Sequence, residues 1–314
     1  MTETTSSAKP ELLAIASLAD DTRLRAGAAA RRRAKSGVWR RANEEPAWLR
    51  WTLIGIALTF LTLMLVLPLV VVIYGAFEQG LRVWWEAIKE PDSLAAIRLS
   101  LFVVLIVVPV NTIFGVAAAW AIAKFEFRGK SVLISIIDMP FAISPVVVGL
   151  IFVILFGSQG WLGPWLSEHD IRIIFAVPAI VIVILFGTMP FIARELIPLM
   201  QQQGKEEEEA SLTLGANGWR TFLRVTLPNI KWGLIYGVIL CNARALGEFG
   251  AVAVVSGRVR GETNTMPLHI EVLYNEYMFT AAFAVSSLLT GLALLTIALK
   301  SLVEWMDARH HVHE

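Results

Sequence analysis

Residues 206–228 read EEEEASLTLGANGWRTFLRVTLP, a polar segment with a long hydrophobic run on either side. Four consecutive glutamates open a helical pattern, where negative charge complements the helix dipole. Gly215 follows at a point where the helix would end in a tight turn, and Pro228 suits the first turn of the next helix. The segment, which spans residues 201–230 in full, therefore predicts a short helix, a turn and a second short helix.

The apolar residues near the tip of this segment have two interpretations. They are Leu212, Leu214, Trp219, Phe222 and Leu223. An apolar tip on a polar loop is costly unless another protein covers it, so one interpretation is an element that receives force from a soluble motor. The other is an amphipathic helix on the membrane surface. The four glutamates weigh against it, because the inner leaflet is negative.

Composition places the chain in a membrane. Of its 314 residues, 56% are hydrophobic and 17% are charged, and the mean hydropathy is +0.64. Several apolar runs reach the roughly 20 residues that cross a bilayer, and they lack the alternation of barrel strands. We therefore expect an all-α integral membrane protein with six transmembrane helices, at 51–77, 99–123, 131–156, 171–197, 232–255 and 281–303. Kinks are expected at the prolines inside these runs: Pro68, Pro109, Pro140, Pro145, Pro178 and Pro190.

The distribution of charge predicts orientation and domain organisation. Twenty of the 27 Lys and Arg residues flank one end of the predicted helices, which places both termini in the cytoplasm. We expect residues 1–48 to form a basic, disordered tail, residues 49–306 the membrane domain and residues 307–314 a cytoplasmic C-terminal tail. The sequence has no phosphate-binding loop of the form G-x-x-x-x-G-K-[ST], so a nucleotide that powers this chain is bound by another one.

Three ionisable residues inside the predicted helices are candidates for a translocation path. Arg244 and Glu248 are one helical turn apart; they either pair with each other or line a path for an oxyanion, which an arginine fork binds well. Asp138 follows Lys130 by a few residues, and it is either an interfacial carboxylate paired with a nearby basic group or part of the path. No metal site is predicted, and the single cysteine, Cys241, is interpreted as a packing residue.

The polar segment resembles the EAA loop of ABC-importer permease subunits. The matching residues are Glu209, Ala210, Gly215, Leu227 and Pro228. Ser211 stands in place of the second alanine of that pattern, and Val225 in place of an isoleucine. The resemblance implies that this segment, Ser211 included, forms a coupling helix that docks on a separate ATPase. It also implies the type I (MetI-like) permease fold.

A second resemblance covers about residues 50–305. Residues 138–149, 247–257 and 261–277 are similar to the CysW-type subunit of sulfate and thiosulfate importers. This implies half of a translocation path in the inner membrane of a bacterium. The implied partners are a CysT-type second permease, an ATP-binding subunit dimer that holds ATP and Mg²⁺, and a periplasmic sulfate-binding protein.

The same resemblance implies no cofactor, no enzymatic activity and no nucleic-acid partner for this chain. Alternatives are a permease for molybdate or tungstate and, further removed, an ion-coupled sulfate transporter. An ion-coupled transporter usually shows paired broken helices and more ionisable groups than Asp138, Arg244 and Glu248 provide. A membrane-embedded enzyme is a third class, but the sequence has no H-E-x-x-H or comparable catalytic arrangement.

Overall fold

The computed structural model describes residues 47–310. The predicted basic tail lies outside this part of the chain except for its last two residues, and residues 311–314 of the predicted C-terminal tail also lie outside it. Residues 47–68 and 69–310 form two compact units, and the packing and sites below lie within the second. All regular elements of residues 47–310 are helical, as expected.

The helices are bounded as follows. They are α1 (Ala47–Leu61), α2 (Leu67–Phe77), α3 (Leu81–Lys89), α4 (Pro91–Lys124), α5 (Lys130–Ala142), α6 (Pro145–Phe156), α7 (Gly163–Glu168), α8 (Val177–Gln203), α9 (Glu206–Thr213), α10 (Gly218–Thr221), α11 (Leu227–Leu246), α12 (Gly250–Val255), α13 (Met266–Asn275) and α14 (Phe279–His310). Two π-helical turns, Thr62–Val66 and Phe222–Thr226, join α1 to α2 and α10 to α11.

The membrane-length helices correspond to the predicted ones, with shifted ends. Within residues 47–310, four are long and apolar enough to cross a bilayer: Trp48–Phe77, Pro91–Lys124, Val177–Gln203 and Phe279–Val303. A fifth crossing is added if α5 and α6 count as one. The second helix begins at Pro91 rather than at residue 99, because a proline is well accommodated in a first helical turn. The number six stays a prediction, since α11 is not among these helices.

The predicted third helix, 131–156, is not one straight crossing. Its two parts, α5 and α6, meet at an angle of 110°. Pro145 begins α6, and a proline disfavours helical backbone at the residue before it. Ser144 is accordingly extended, with ψ of 136°. The kink predicted at Pro145 is confirmed, and the bend is sharp enough that α6 does not continue in the direction of α5.

The predicted fifth helix, 232–255, is wrong as one continuous helix. It is interrupted by Gly247, Glu248 and Phe249, which separate α11 from α12. α11 packs against α4, α8 and α14, whereas α12 packs mainly against α6. Because protein rather than lipid covers several sides of α11, this helix tolerates the polar residues that lower its hydropathy.

Glycines bring α4, α8 and α11 close together. A methyl group added to Gly115 of α4 would lie 2.7 Å from Cγ2 of Ile192 on α8, and one added to Gly237 of α11 would lie 3.2 Å from Cα of Ile192. Across the α4–α8 contact, the side-chain amide of Asn111 donates to the hydroxyl of Thr188 at 2.7 Å. Close backbone approach and such hydrogen bonds drive association of membrane helices, so these three helices form the core from which α9 and α10 extend.

Candidate functional site

The polar segment contains the predicted helix closed by a glycine. α9 ends in a Schellman turn, in which the Gly215 N–H donates to the Leu212 carbonyl at 3.0 Å and the Ala216 N–H donates to the Ser211 carbonyl at 3.1 Å. Gly215 has φ of +87°, a conformation that glycine adopts without strain, and apart from its two chain neighbours no described residue comes within 4 Å of where a Cβ would be. The turn therefore depends on backbone conformation and not on packing around the glycine.

The second predicted helix starts at a side-chain cap and continues into α11. The Asn217 side chain accepts a hydrogen bond from the Arg220 N–H at 2.8 Å, which begins α10. The π-helical turn Phe222–Thr226 follows, and there the Leu227 N–H bonds a carbonyl five residues earlier. Pro228 has no N–H with which to continue the regular α-helical pattern, and the wider turn accommodates that loss.

A buried lysine at the end of α4 fastens α9 to the helix core. The Lys124 side chain is 7% exposed, and its Nζ lies 3.1 Å from Oε1 of Glu208. The same ammonium group donates to the Gly204 carbonyl, and Oε1 of Glu208 also accepts a hydrogen bond from the Thr226 hydroxyl at 2.7 Å. The sequence predicts Lys124 as one of the loop charges that set the orientation, but the structure shows its side chain buried inside this network.

The outer surface of the polar segment exposes apolar side chains. Leu214 is 88% exposed, Trp219 is 69% exposed and Leu212 is 51% exposed. Next to them lies an open groove of about 650 Å³, whose lining includes Arg220 and Arg224. A cluster of exposed apolar residues rimmed by polar ones marks a protein interaction surface. The exposed glutamates of α9 disfavour the alternative of a helix lying on an anionic leaflet.

The residues assigned to the coupling loop all lie in this one segment. Glu209, Ala210 and Pro228 are exposed, while Leu227 is partly buried. The hydroxyl of Ser211 lies 3.1 Å from that of Thr221, so it ties α9 to α10 by a bond that alanine would not make. Contact of these residues with an ATPase stays a prediction.

The structure pairs Arg244 with Glu248. Their Nη2 and Oε2 atoms are 2.8 Å apart, and the Glu248 side chain is only 3% exposed, against 38% for Arg244. The other carboxylate oxygen of Glu248 accepts the Ala251 N–H at 3.3 Å in the first turn of α12. Glu248 thus fastens the break between α11 and α12, and the pairing interpretation is confirmed. A role of either residue in translocation stays a prediction.

The basic partner of Asp138 comes from α8. Oδ1 of Asp138 lies 3.0 Å from Nε of Arg194, and both side chains are partly exposed. Lys130, the basic residue that precedes Asp138 in sequence, bonds Glu126 at 2.8 Å instead. This bond and the charge of Lys130 lower the pKa of Glu126 from its ordinary value. Pairing of Asp138 with a basic group is confirmed, whereas its role in a path stays a prediction.

The sequence did not predict the ion-pair roles of three residues: Lys124, Glu208 and Arg194. Lys124 and Glu208 are 84 positions apart, and no local pattern connects them. Arg194 could have been recognised from the sequence, because a charged residue within an apolar run, ahead of the polar segment, needs a partner. In residues 47–310, no cluster of three or more His, Cys, Asp and Glu side chains is arranged to hold a metal ion.

The long apolar helices and the ordered polar segment between them define a multi-pass, all-helical membrane protein. The chain belongs to the family described as binding-protein-dependent transport system inner membrane component, whose model matches residues 111–311. This match identifies it as a membrane subunit of a transport system.

Curated relatives cover most of the chain. It is 46% identical to the sulfate transport system permease protein CysW of Escherichia coli K12 over 275 residues, which is 85% of this chain and 94% of that protein. Identity to the CysW protein of Synechococcus elongatus is 50%, over 85% of this chain and 93% of the relative. The CysT permease of Escherichia coli K12 is 34% identical, over 78% of this chain and 88% of the relative.

Solved structures show the same fold. A chain of a bacterial ABC transporter that imports alginate matches with a TM-score of 0.69 and 17% identity, over 83% of this chain and 96% of that chain. The alginate transporter bound to its periplasmic protein gives a TM-score of 0.68 over 83% of this chain. The predicted fold of an ABC-importer permease is confirmed.

Proposed function

We propose that this chain is the membrane-spanning permease subunit of an ATP-driven ABC importer for sulfate and thiosulfate. Identities of 46–50% to proteins named as sulfate permeases support sulfate as the cargo. The family, in which transport depends on a binding protein, favours an ABC importer over an ion-coupled transporter. Molybdate and tungstate are the alternative cargoes, since they are also tetrahedral oxyanions.

The exposed apolar tip of α9 and α10 is the observation that carries the coupling role. Leu214, Leu212 and Trp219 project from a segment that the Lys124–Glu208 pair and the Gly215 turn hold in a fixed shape. A rigid projection transmits displacement, whereas a flexible loop would absorb it. We infer that an ATPase subunit covers this tip. Closure of the ATPase dimer on ATP then moves the tip and shifts the helix core between inward-open and outward-open arrangements.

The complete importer needs further chains. The 34% identity to CysT permeases supports a homologous second permease that supplies the other half of the path. A dimer of ATP-binding subunits would hold ATP and Mg²⁺, and a periplasmic sulfate-binding protein would deliver the anion. Both termini of this chain would face the cytoplasm, on the side of the ATPase. Arg244, held by Glu248, and Asp138 would line the path.

Reconstitution tests this proposal. The chain is co-expressed with the second permease and the ATP-binding subunit and incorporated into liposomes, and uptake of radiolabelled sulfate is measured with ATP inside and binding protein outside. We expect uptake that requires both ATP and the binding protein. Uptake that follows an ion gradient without ATP would contradict the proposal. Molybdate uptake that strongly exceeds sulfate uptake would leave the coupling role intact and reassign the cargo.

A further inference from the structure

Arg194 carries a charge within α8, a helix that is long and apolar enough to cross a bilayer. It lies nine residues before the end of α8 at Gln203, which is about 14 Å along the helix at about 1.5 Å per residue. Asp138 lies eight residues after the start of α5 at Lys130, which is about 12 Å. The ion pair therefore lies at a similar distance from the end of α8 and from the start of α5, within the apolar stretch that each helix contributes. A charge within a membrane-crossing helix usually faces protein or a water-filled space.

The guanidinium of Arg194 is held in position on two sides. Its Nε lies 3.0 Å from Oδ1 of Asp138, and its central carbon lies 5.0 Å from the ring centroid of Phe141. The Phe141 ring in turn packs edge-on against Phe191 at 5.3 Å. Arg194 therefore has a fixed planar fork and not a freely rotating charge.

The two Nη groups of this fork are available to a ligand. Neither has a hydrogen-bond partner among the side chains and backbone groups that the structure describes, and the Arg194 side chain is 57% exposed. Arg244 differs in both respects, since its Nη2 is bonded to the buried Glu248 and its side chain is 38% exposed. Two parallel N–H donors in a plane match two oxygens of a tetrahedral oxyanion.

We propose that Arg194, positioned by Asp138 and Phe141, is an oxyanion-binding site in the inner half of the translocation path. This site rests on the proposed function. The anion would contact Arg194 after it leaves the outer half of the path. Asp138 neutralises much of the positive charge, so the anion binds weakly enough to be released. An arginine at the same position without a carboxylate partner would retain the anion and slow transport.

A thiol placed beside the fork tests whether this face is wet and binds sulfate. Pro198 is exposed one helical turn from Arg194 on the same face of α8. The only native cysteine, Cys241, is fully buried, so Pro198→Cys adds one accessible thiol. In the complete complex in inside-out vesicles, we expect a charged, membrane-impermeant thiol reagent to modify it. Sulfate should slow the modification at least threefold, whereas chloride of equal ionic strength should not.

Arg194→Lys keeps the charge but loses the fork. In the Pro198→Cys background this change should abolish protection by sulfate, and in the otherwise unchanged chain it should lower sulfate uptake about tenfold at equal protein level. Arg82→Lys, which alters an exposed arginine paired with Glu86 on α3, is the matched control and should change uptake less than twofold.

Three results would overturn the site. They are a thiol that does not react because lipid or the second permease covers this face, equal sulfate protection with lysine in place of Arg194, and normal uptake by Arg194→Lys. If the wild-type complex imports sulfate while any of these holds, only this site is wrong. If the wild-type complex takes up no sulfate, the proposed function fails, and the site fails with it.

Discussion

Removing the positive charge of Lys124 tests how the polar segment is fastened to the core. Lys124→Met keeps an unbranched side chain of similar length, so packing at the end of α4 is largely retained. Glu208 loses its ion pair, although its side chain is only 16% exposed. Gly204 loses a charged donor to its carbonyl. The change therefore isolates the ion pair from the surrounding packing.

The expected cost follows from burial. Breaking a buried ion pair costs about 3–5 kcal/mol, because the remaining charge is left without compensation. Glu208 keeps the Thr226 hydroxyl as a donor and some contact with solvent, so we expect a loss near the lower end, about 3 kcal/mol in the free energy of unfolding. Combining Lys124→Met with Glu208→Gln removes both charges and should recover most of that loss.

Reversible unfolding in mixed micelles measures these differences. Lys130→Met is the matched control, since Lys130 bonds Glu126, whose side chain is 82% exposed, and this change should hardly alter the unfolding free energy. The double variant should also regain ATP-dependent uptake that Lys124→Met loses. If Lys124→Met proves as stable as Lys130→Met, or if the second substitution recovers nothing, the Lys124–Glu208 pair does not fasten α9.

Three further predictions concern the turn, the broken helix and a buried histidine of α13. Gly215→Pro is incompatible with φ of +87° and removes the hydrogen bond to the Leu212 carbonyl, so we expect normal membrane insertion but no sulfate uptake. Gly215→Asn should retain both insertion and uptake. Uptake by the proline variant equal to that of the unchanged chain would refute the lever role. Arg244→Gln leaves Glu248 buried and unpaired, so it should lower the unfolding free energy by about 3 kcal/mol, and adding Glu248→Gln should recover much of this in the same assay. Burial lowers the pKa of His269 from its ordinary 6.5, and the charges of Asp92 and Arg260 act on it in opposite directions. The stability that neutral His269 contributes is full above pH 6.5 and is lost as pH falls toward its folded-state pKa. The thermal midpoint should therefore drop on acidification below pH 6.5, and His269→Gln should weaken that slope.

Local features of the fold were predictable because local residues cause them. The Gly215 turn follows from a glycine after a short helix, and the bend at Pro145 follows from the restriction that proline places on the residue before it. The apolar runs gave the long helices for the same reason, since only a helix satisfies its own backbone in lipid.

The rest depends on contacts between distant parts of the chain. Hydropathy alone cannot show that α11 packs among α4, α8 and α14. It also does not show that this helix ends before Gly247, because the residues on both sides of the break are apolar. The partner of Asp138 is Arg194, 56 positions away, whereas the nearer Lys130 bonds Glu126. Lys124 became a buried anchor only because α9 folds back against the end of α4.

Cross-linking from Leu214 tests the central claim most directly. In the purified complex, Leu214→Cys carries a bifunctional reagent at the most exposed apolar residue of the polar segment. We predict a cross-link to the ATP-binding subunit whose yield changes between the nucleotide-free and ATP-bound states. A complex that imports sulfate with ATP, yet gives no cross-link to that subunit in either state, would contradict a lever at α9 and α10.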